Sequence, residues 1–375
     1  MLRTLLITNQ IAPYRIPVYN KVNQSASVDL TVWFLQEKES NREWNIDYSE
    51  MEFAYEQLRG FHIFLQKLDM GVHLNPGLFW RLIRFNPDVV MTTGYEAPGY
   101  WTGMVYAKLF RKKFVVWYGS TLHSSRVQNK IFNAIRRFFF GKADAFVSYG
   151  TESAKCMEHY GVDPEKIVIG YNTVDVKYYR EYYKNSKNEL IGNAGKMQFL
   201  YIGQLIERKG LLQVLEALRE VDSENENWVF RIVGSGTDEA ILRKKVEVYG
   251  LSERVLFEGY KQKDQLGSYL AQADCLIFPS LIEVWGLVVN EALATNTFVL
   301  ASKYAGATKD IIVDKQNGLV IDPLDQRNMT EAFQWVMNHK DYIQSQRSQD
   351  LSLWRKLHPN SYARSVETAI KKAAL

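Results

Sequence analysis

Short apolar runs that alternate with longer helical patterns, in two successive series, constrain this chain more than any other feature. Residues 2–8, 30–34, 89–92, 114–117, 145–149 and 167–169 form the first series, and residues 198–202, 230–233, 255–257, 275–278, 298–301 and 319–321 the second. Runs without polar alternation fit parallel strands covered on both faces, with the helices between them as crossovers. The prediction is an α/β chain of two Rossmann-like halves. Between the series, residues 178–195 are polar and rich in Asn and Lys, with Gly192 and Gly195 as breakers, and are expected to link the halves. This gives a first domain over 1–180, a second over 196–355, and a terminal segment over 356–375 in which Pro359 precedes Tyr362, Val366, Ala369 and Ile370 at helical spacing.

A chain of 375 residues exceeds what one core normally serves, and 46% apolar with 23% charged residues suits a globular protein with two. Cys156 and Cys275 stand apart, without metal-site or disulfide spacing. The N-terminal apolar run is too short for a signal peptide, and no uncharged stretch of ~18 residues occurs, so a cytoplasmic location is expected. A net charge of +4 gives no reason to expect nucleic acid as a partner. The charge is unevenly spread. Across residues 101–150, Lys108, Arg111, Lys112, Lys113, Arg126, Lys130, Arg136, Arg137 and Lys142 face only Asp144. Across residues 31–58, Glu37, Glu39, Glu43, Asp47, Glu50, Glu52 and Glu56 face only Lys38 and Arg42.

Two motifs in the second half carry chemistry. Tyr201-Ile-Gly-Gln-Leu-Ile-Glu-Arg-Lys-Gly210 places Arg208 and Lys209 between a strand end and a helix start, where backbone N–H groups already attract phosphate and two cations reinforce them. A diphosphate is the expected ligand, at the carboxyl edge of an open sheet. Phe278-Pro-Ser-Leu-Ile-Glu-Val-Trp-Gly-Leu-Val-Val-Asn-Glu-Ala-Leu-Ala294 holds Glu283 and Glu291 eight apart, both expected to look into one crevice. Ionised carboxylates accept several O–H bonds and so suit sugar and ribose hydroxyls, and Gly286 lets the backbone approach a ligand closely. Ordinary solvated charges are the competing reading of both motifs. Placement beside strand ends, with Pro279-Ser280 and the run of small residues from Ala292 to Ala294 around the glutamates, argues against it.

Together with Asn172-Thr-Val-Asp175, Val233-Gly-Ser-Gly236 and Val255-Leu-Phe-Glu-Gly-Tyr260, these segments resemble the family 4 retaining glycosyltransferases, whose E-x7-E signature and G-x-x-x-x-[RK]-K-G phosphate motif occur here in the same order. The resemblance implies a GT-B fold of two Rossmann-like domains facing across a cleft, with the terminal helix returning to the first. It implies transfer from a nucleotide diphosphate-sugar, UDP- or GDP-linked, with retention at the anomeric carbon and without a metal or other cofactor. Arg208 and Lys209 would hold the diphosphate, Glu283 a sugar hydroxyl and Glu291 the ribose. Gly203, Val284, Trp285, Gly286 and Leu287 would bring backbone to the phosphates and sugar, and Tyr260 would lie beside the base. Asn9-Gln-Ile-Ala-Pro-Tyr-Arg-Ile-Pro17 is similar to a Pro-Tyr-Arg variant of cell-surface polysaccharide enzymes, which puts Tyr14 and Arg15 on the acceptor side. His123, after the strand at 114–117, stands near the place where the family carries a histidine, and would be catalytic. The implied acceptor is a glycan or a lipid-linked molecule.

Rival readings are a nicotinamide dehydrogenase, a GT-B epimerase or phosphorylase, and a non-catalytic nucleotide-sugar-binding subunit. The first fails because Glu239 occupies the place of the third glycine in Gly234-Ser-Gly-Thr-Asp-Glu239; the others stay open. Asp322-Pro-Leu-Asp325 lacks metal-motif spacing and is expected in a turn. The basic segment also holds Phe132, Ile135, Phe138, Phe139 and Phe140. A buried core helix fits these aromatics, and so does a helix lying on lipid, which would make an anionic membrane surface a partner and the protein peripheral on the inner face of the membrane.

Overall fold

The computed structural model describes residues 1–38, 44–65, 70–125, 129–186, 195–222, 227–346 and 353–375. Glu39, Arg42, Glu43 and Arg126, counted in the charged segments, lie outside the described residues. The chain forms two compact units, Met1–Val174 with Leu357–Leu375, and Asp175–Lys356.

The strands of the first unit are β1 (Leu2–Thr8), β2 (Val28–Phe34), β3 (Ala54–Gln57), β4 (Phe61–Leu65), β5 (Met70–Leu74), β6 (Val89–Thr92), β7 (Lys113–Tyr118), β8 (Ala145–Ser148) and β9 (Ile167–Ile169). β4 and β5 pair as an antiparallel hairpin, and the other seven form a parallel sheet in the order β3-β2-β1-β6-β7-β8-β9. Successive side chains of a strand point to opposite faces, so an unbroken apolar run fills two layers. Leu5, Ile7, Val90, Phe114 and Val116 enter one core, and Leu6, Val89, Met91, Val115 and Trp117 the other. The second core is completed by the last helix, Pro359–Ala374, through Tyr362, Val366, Ala369 and Ile370. Pro359 at its first position and the His358 side chain, which accepts from Asn360 N, start that helix.

The second unit holds β10 (Met197–Ile202), β11 (Trp228–Val233), β12 (Val255–Gly259), β13 (Cys275–Phe278), β14 (Phe298–Ser302) and β15 (Gly318–Ile321), all parallel, in the order β12-β11-β10-β13-β14-β15. Both sheets reverse strand order at their centre, at β1/β6 and at β10/β13.

Three expectations need correction. Residues 178–195 were to be a polar linker, but Val176–Ser186 form a helix of the second unit, because Tyr179 and Tyr183, one turn apart, bury their rings. Residues 187–194 of that expected linker lie outside the described residues. The strands β3, β4 and β5 have no counterpart in the first series of apolar runs: Ala54–Gln57 is an exposed edge with no apolar run to betray it, and β4 and β5 form a hairpin apart from the parallel sheet. Within the basic segment, the helix Lys130–Phe140 buries Phe139, Phe140 and also Arg136, while Phe132, Ile135 and Phe138 are exposed. Arg136 turns inward because Tyr95 Oη and Asn133 Oδ1 accept from it at 2.8 and 3.2 Å. Among the described residues no helix is long and apolar enough to cross a membrane.

Candidate functional site

The second unit brings its motifs together at the strand-order reversal. The β10/β13 ladder ends at Leu200↔Leu276, whereas β10 continues to Ile202 and β13 to Phe278, so the strands part at their carboxyl ends, where open α/β sheets bind ligands. Gly203 begins the loop after β10, and the turn Glu207–Lys209 carries Arg208 and Lys209, both half-buried, to the start of the helix Leu211–Asp222. Gly210 ends this turn at φ +72°, and a Cβ there would meet Pro279 O at 2.2 Å. That close approach lets Leu281 N donate to Arg208 O at 2.8 Å, fastening the cation turn to the loop that holds Glu283. Glycine is required again at Gly234, φ +143°, where a Cβ would lie 1.8 Å from Gly203 O. The Gly-Ser-Gly cluster thus serves to stack one loop on another.

Lys209 Nζ forms an ion pair with Glu283 Oε2, with both side chains largely buried. Burial pushes the Glu283 carboxyl up, but Lys209 and Arg208 outweigh it and hold the group below its ordinary range. Glu283 Oε1 also accepts from Val284 N at 3.2 Å. Gly286, at φ +102°, caps the helix Leu287–Ala294 without a side-chain partner and accepts from Val289 N at 3.0 Å, while the N–H groups of Leu287 and Val288 have no partner within the helix and point to its N-terminal end. The Trp285 indole is directed into the core, where its Nε1 donates to Asn290 Oδ1 at 2.9 Å, so only its backbone faces this region. Glu291 lies one turn into the same helix. Burial raises its pKa to about 7, against the opposing pull of a hydrogen bond with Tyr179 and the charge of Lys263. Glu283 and Glu291 therefore have different partners, and their carboxyls are shifted in opposite directions. Tyr179 and Lys263 were missed by sequence reasoning; the Tyr178, Tyr179, Tyr182, Tyr183 pattern was the available signal. Tyr260 is exposed directly after β12.

Asp322 and Asp325 do structural work. Asp322 Oδ1 accepts from Tyr304 Oη and Leu324 N at 3.0 and 3.1 Å, and Asp325 caps the helix Gln326–Asn338.

The remaining candidates lie in the first unit. His123 is exposed in the loop after β7. Tyr14 is half-buried, with its ring edge-on to Trp44 at 6.2 Å. Arg15 is buried, its guanidinium 4.4 Å from the Tyr149 ring centre, 4.7 Å from Trp117, 5.6 Å from Tyr14 and 5.8 Å from Tyr362.

Residues 43–178 match the family described as Glycosyltransferase Family 4, and residues 183–350 that described as Glycosyl transferases group 1. The chain belongs to the family 4 glycosyltransferases. The putative colanic acid biosynthesis glycosyltransferase WcaL of Escherichia coli is 24% identical over 55% of this chain and 50% of its own. The alpha-D-kanosaminyltransferase of Streptomyces kanamyceticus is 23% identical over 54% and 45%. The chain spans about half the length of the curated relatives it matches. Among solved structures, Anabaena HepE in complex with UDP superposes with a TM-score of 0.77 at 13% identity, covering 99% of this chain and 100% of the other. The lipopolysaccharide outer core galactosyltransferase WaaB gives 0.73 at 16%, covering 99% of each. At these identities the likeness carries the fold, which is GT-B.

Proposed function

We propose that this chain transfers a sugar, with retention, from a UDP-sugar to a glycan or lipid-linked acceptor in polysaccharide synthesis. The observation that carries the reading is the Lys209–Glu283 pair, pinned by the Leu281–Arg208 backbone bond where β10 and β13 part. A donor laid there meets two cations and helix N–H groups at its diphosphate, and an ionised carboxylate for a sugar hydroxyl. Charge that develops on the leaving diphosphate is then stabilised by groups already in place. UDP is favoured over GDP as the nucleotide because HepE, which shares the fold, binds UDP. Tyr260 is assigned to the base, Tyr14 to the acceptor side with Arg15 behind it, and His123 to the reacting region.

The charge-stabilising role given to Arg208 and Lys209 makes a divalent ion unnecessary in this reading. Turnover of UDP-glucose or UDP-galactose is expected to persist in EDTA; activity that vanishes on chelation and returns with a divalent ion overturns that part of the assignment. The anomeric configuration of the product, read by NMR, tests retention.

Glu291 gives the reading a pH signature. If ribose hydroxyls donate to it, binding favours the ionised carboxylate, so affinity rises with pH through the carboxyl's value of about 7. Between pH 6 and 8 the ionised fraction changes by about tenfold, and UDP affinity should gain by a similar factor. Glu291→Gln should remove this component and cost ~1.5–3 kcal/mol at pH 8. UDP titrates in the same range, so the quantity to compare by calorimetry is the wild type-to-variant difference. A difference that is flat with pH rejects the ribose assignment.

A further inference from the structure

We propose that the outward face of the helices Pro98–Leu109 and Lys130–Phe140 docks onto a bilayer carrying anionic lipid. On the second helix Ile131, Ile135 and Phe138 recur at i, i+4 and i+7, and are 70%, 38% and 53% exposed. Phe132 beside them is 45% exposed. On the first helix Trp101, Val105 and Leu109 recur at four-residue intervals, and the latter two are exposed. Trp101 stacks on Phe138 at 6.2 Å and 7°, which joins the two stripes into one surface. Phe139 and Phe140 of the same helix are buried in the core, with Phe139 also against Trp101, whereas Ile131, Phe132, Ile135 and Phe138 remain exposed, so packing of this unit does not account for the stripe. A contiguous apolar surface in water marks a contact still to be made.

The cations around it identify the contact. Lys130, Arg137 and Lys142 are exposed along the second helix and at its end, with Lys142 Nζ 4.9 Å from the Phe138 ring centre. Arg111 is exposed beyond the first helix. The single acid of the segment, Asp144, accepts from Lys108 Nζ and from Phe114 N at 3.1 and 2.7 Å, and so is engaged at home. Basic stems that flank exposed aromatics can lie along an apolar surface and place their charges at headgroup phosphates while the rings enter the acyl boundary. A second copy of this chain suits the face poorly, because a two-fold interface would bring the same cations together. The proposal supplies a partner for the lipid-linked acceptor reading, but it stands on the first unit's surface and not on donor chemistry.

The test is co-sedimentation of the full chain with phosphatidylcholine vesicles, with and without phosphatidylglycerol. Binding is expected to the anionic vesicles at ~0.01 M salt, to weaken at ~0.1 M as the Debye length shortens from ~30 to ~10 Å, and to be slight on neutral vesicles. Replacing Lys130, Arg137 and Lys142 by Ser should weaken binding about a hundredfold, each cation contributing about fivefold (~1 kcal/mol). Ile135→Ser with Phe138→Ser should also weaken it. Removing the exposed cations Lys244, Lys315 and Arg327 of the second unit should leave it unchanged. Thermal melts and UDP binding of each variant show that the fold and the second unit are intact. Equal binding to both vesicle types, no binding to either, an equal loss in the second-unit control, or self-association abolished by Phe138→Ser would each overturn the proposal. Vesicle binding without UDP binding would instead count against the donor reading alone.

Discussion

Lys209→Ala is expected to lower sugar transfer by about two orders of magnitude or more, the scale of losing one stabiliser of a developing anion. The variant does two things that must be separated. It removes a cation from the diphosphate, and it strands Glu283, a largely buried carboxylate whose ionised state Lys209 supports. Breaking one side of such a pair is destabilising because the remaining charge has lost its compensation. The Lys209→Ala, Glu283→Gln double variant restores neutrality in the pocket. Its melting temperature should recover towards wild type while transfer stays at the level of the single variant or lower. Arg208→Ala, which leaves the Lys209–Glu283 pair in place, should lose a similar factor in turnover with less effect on stability. Full activity in either single variant, measured at saturating donor, would remove the cation turn from the chemistry.

That the cation turn could be found without coordinates follows from its backbone. The glycines at 203 and 210 and the two cations are contiguous in sequence, and contiguity was enough to place them between β10 and a helix. The central strands were legible for a related reason: they are apolar runs buried on two faces, so β1, β6 and β13 coincide with residues 2–8, 89–92 and 275–278. What was not legible depends on neighbours distant in sequence. Arg136 reads as one more surface cation until Tyr95 and the face-on Tyr160 ring at 4.4 Å draw it inward. The helix Val176–Ser186 reads as a polar linker because its buried side is made of tyrosines, which a tally of Asn and Lys passes over. The charge state of Glu291 depends on burial and on Tyr179 from that misread helix, and no spacing rule reports either.

Tyr362→Ala should be the most damaging single change to the first unit, at ~3–5 kcal/mol for an emptied aromatic site in the core. The ring stands edge-on to Trp117 at 5.1 Å, and its hydroxyl accepts from Trp117 Nε1 and donates to Ser148 O at 3.2 Å. It also closes one side of the cage around Arg15. Gly170 is shaped for it, since a Cβ there would come within 2.3 Å of the ring. Truncation therefore opens a cavity, orphans the indole N–H and removes a wall from a buried guanidinium. Tyr362→Phe separates these effects. The cavity stays filled and only the hydroxyl is lost, which should cost ~1–3 kcal/mol through the unpaired indole. For a unit of this size 1 kcal/mol corresponds to ~2–4 °C, so the alanine variant should melt about 10 °C lower and the phenylalanine variant by about half of that. UDP binding below the transition should persist, because Tyr362 belongs to the first unit and the second has its own core. An alanine variant that melts with the wild type would mean that the C-terminal helix contributes little to the layer it completes.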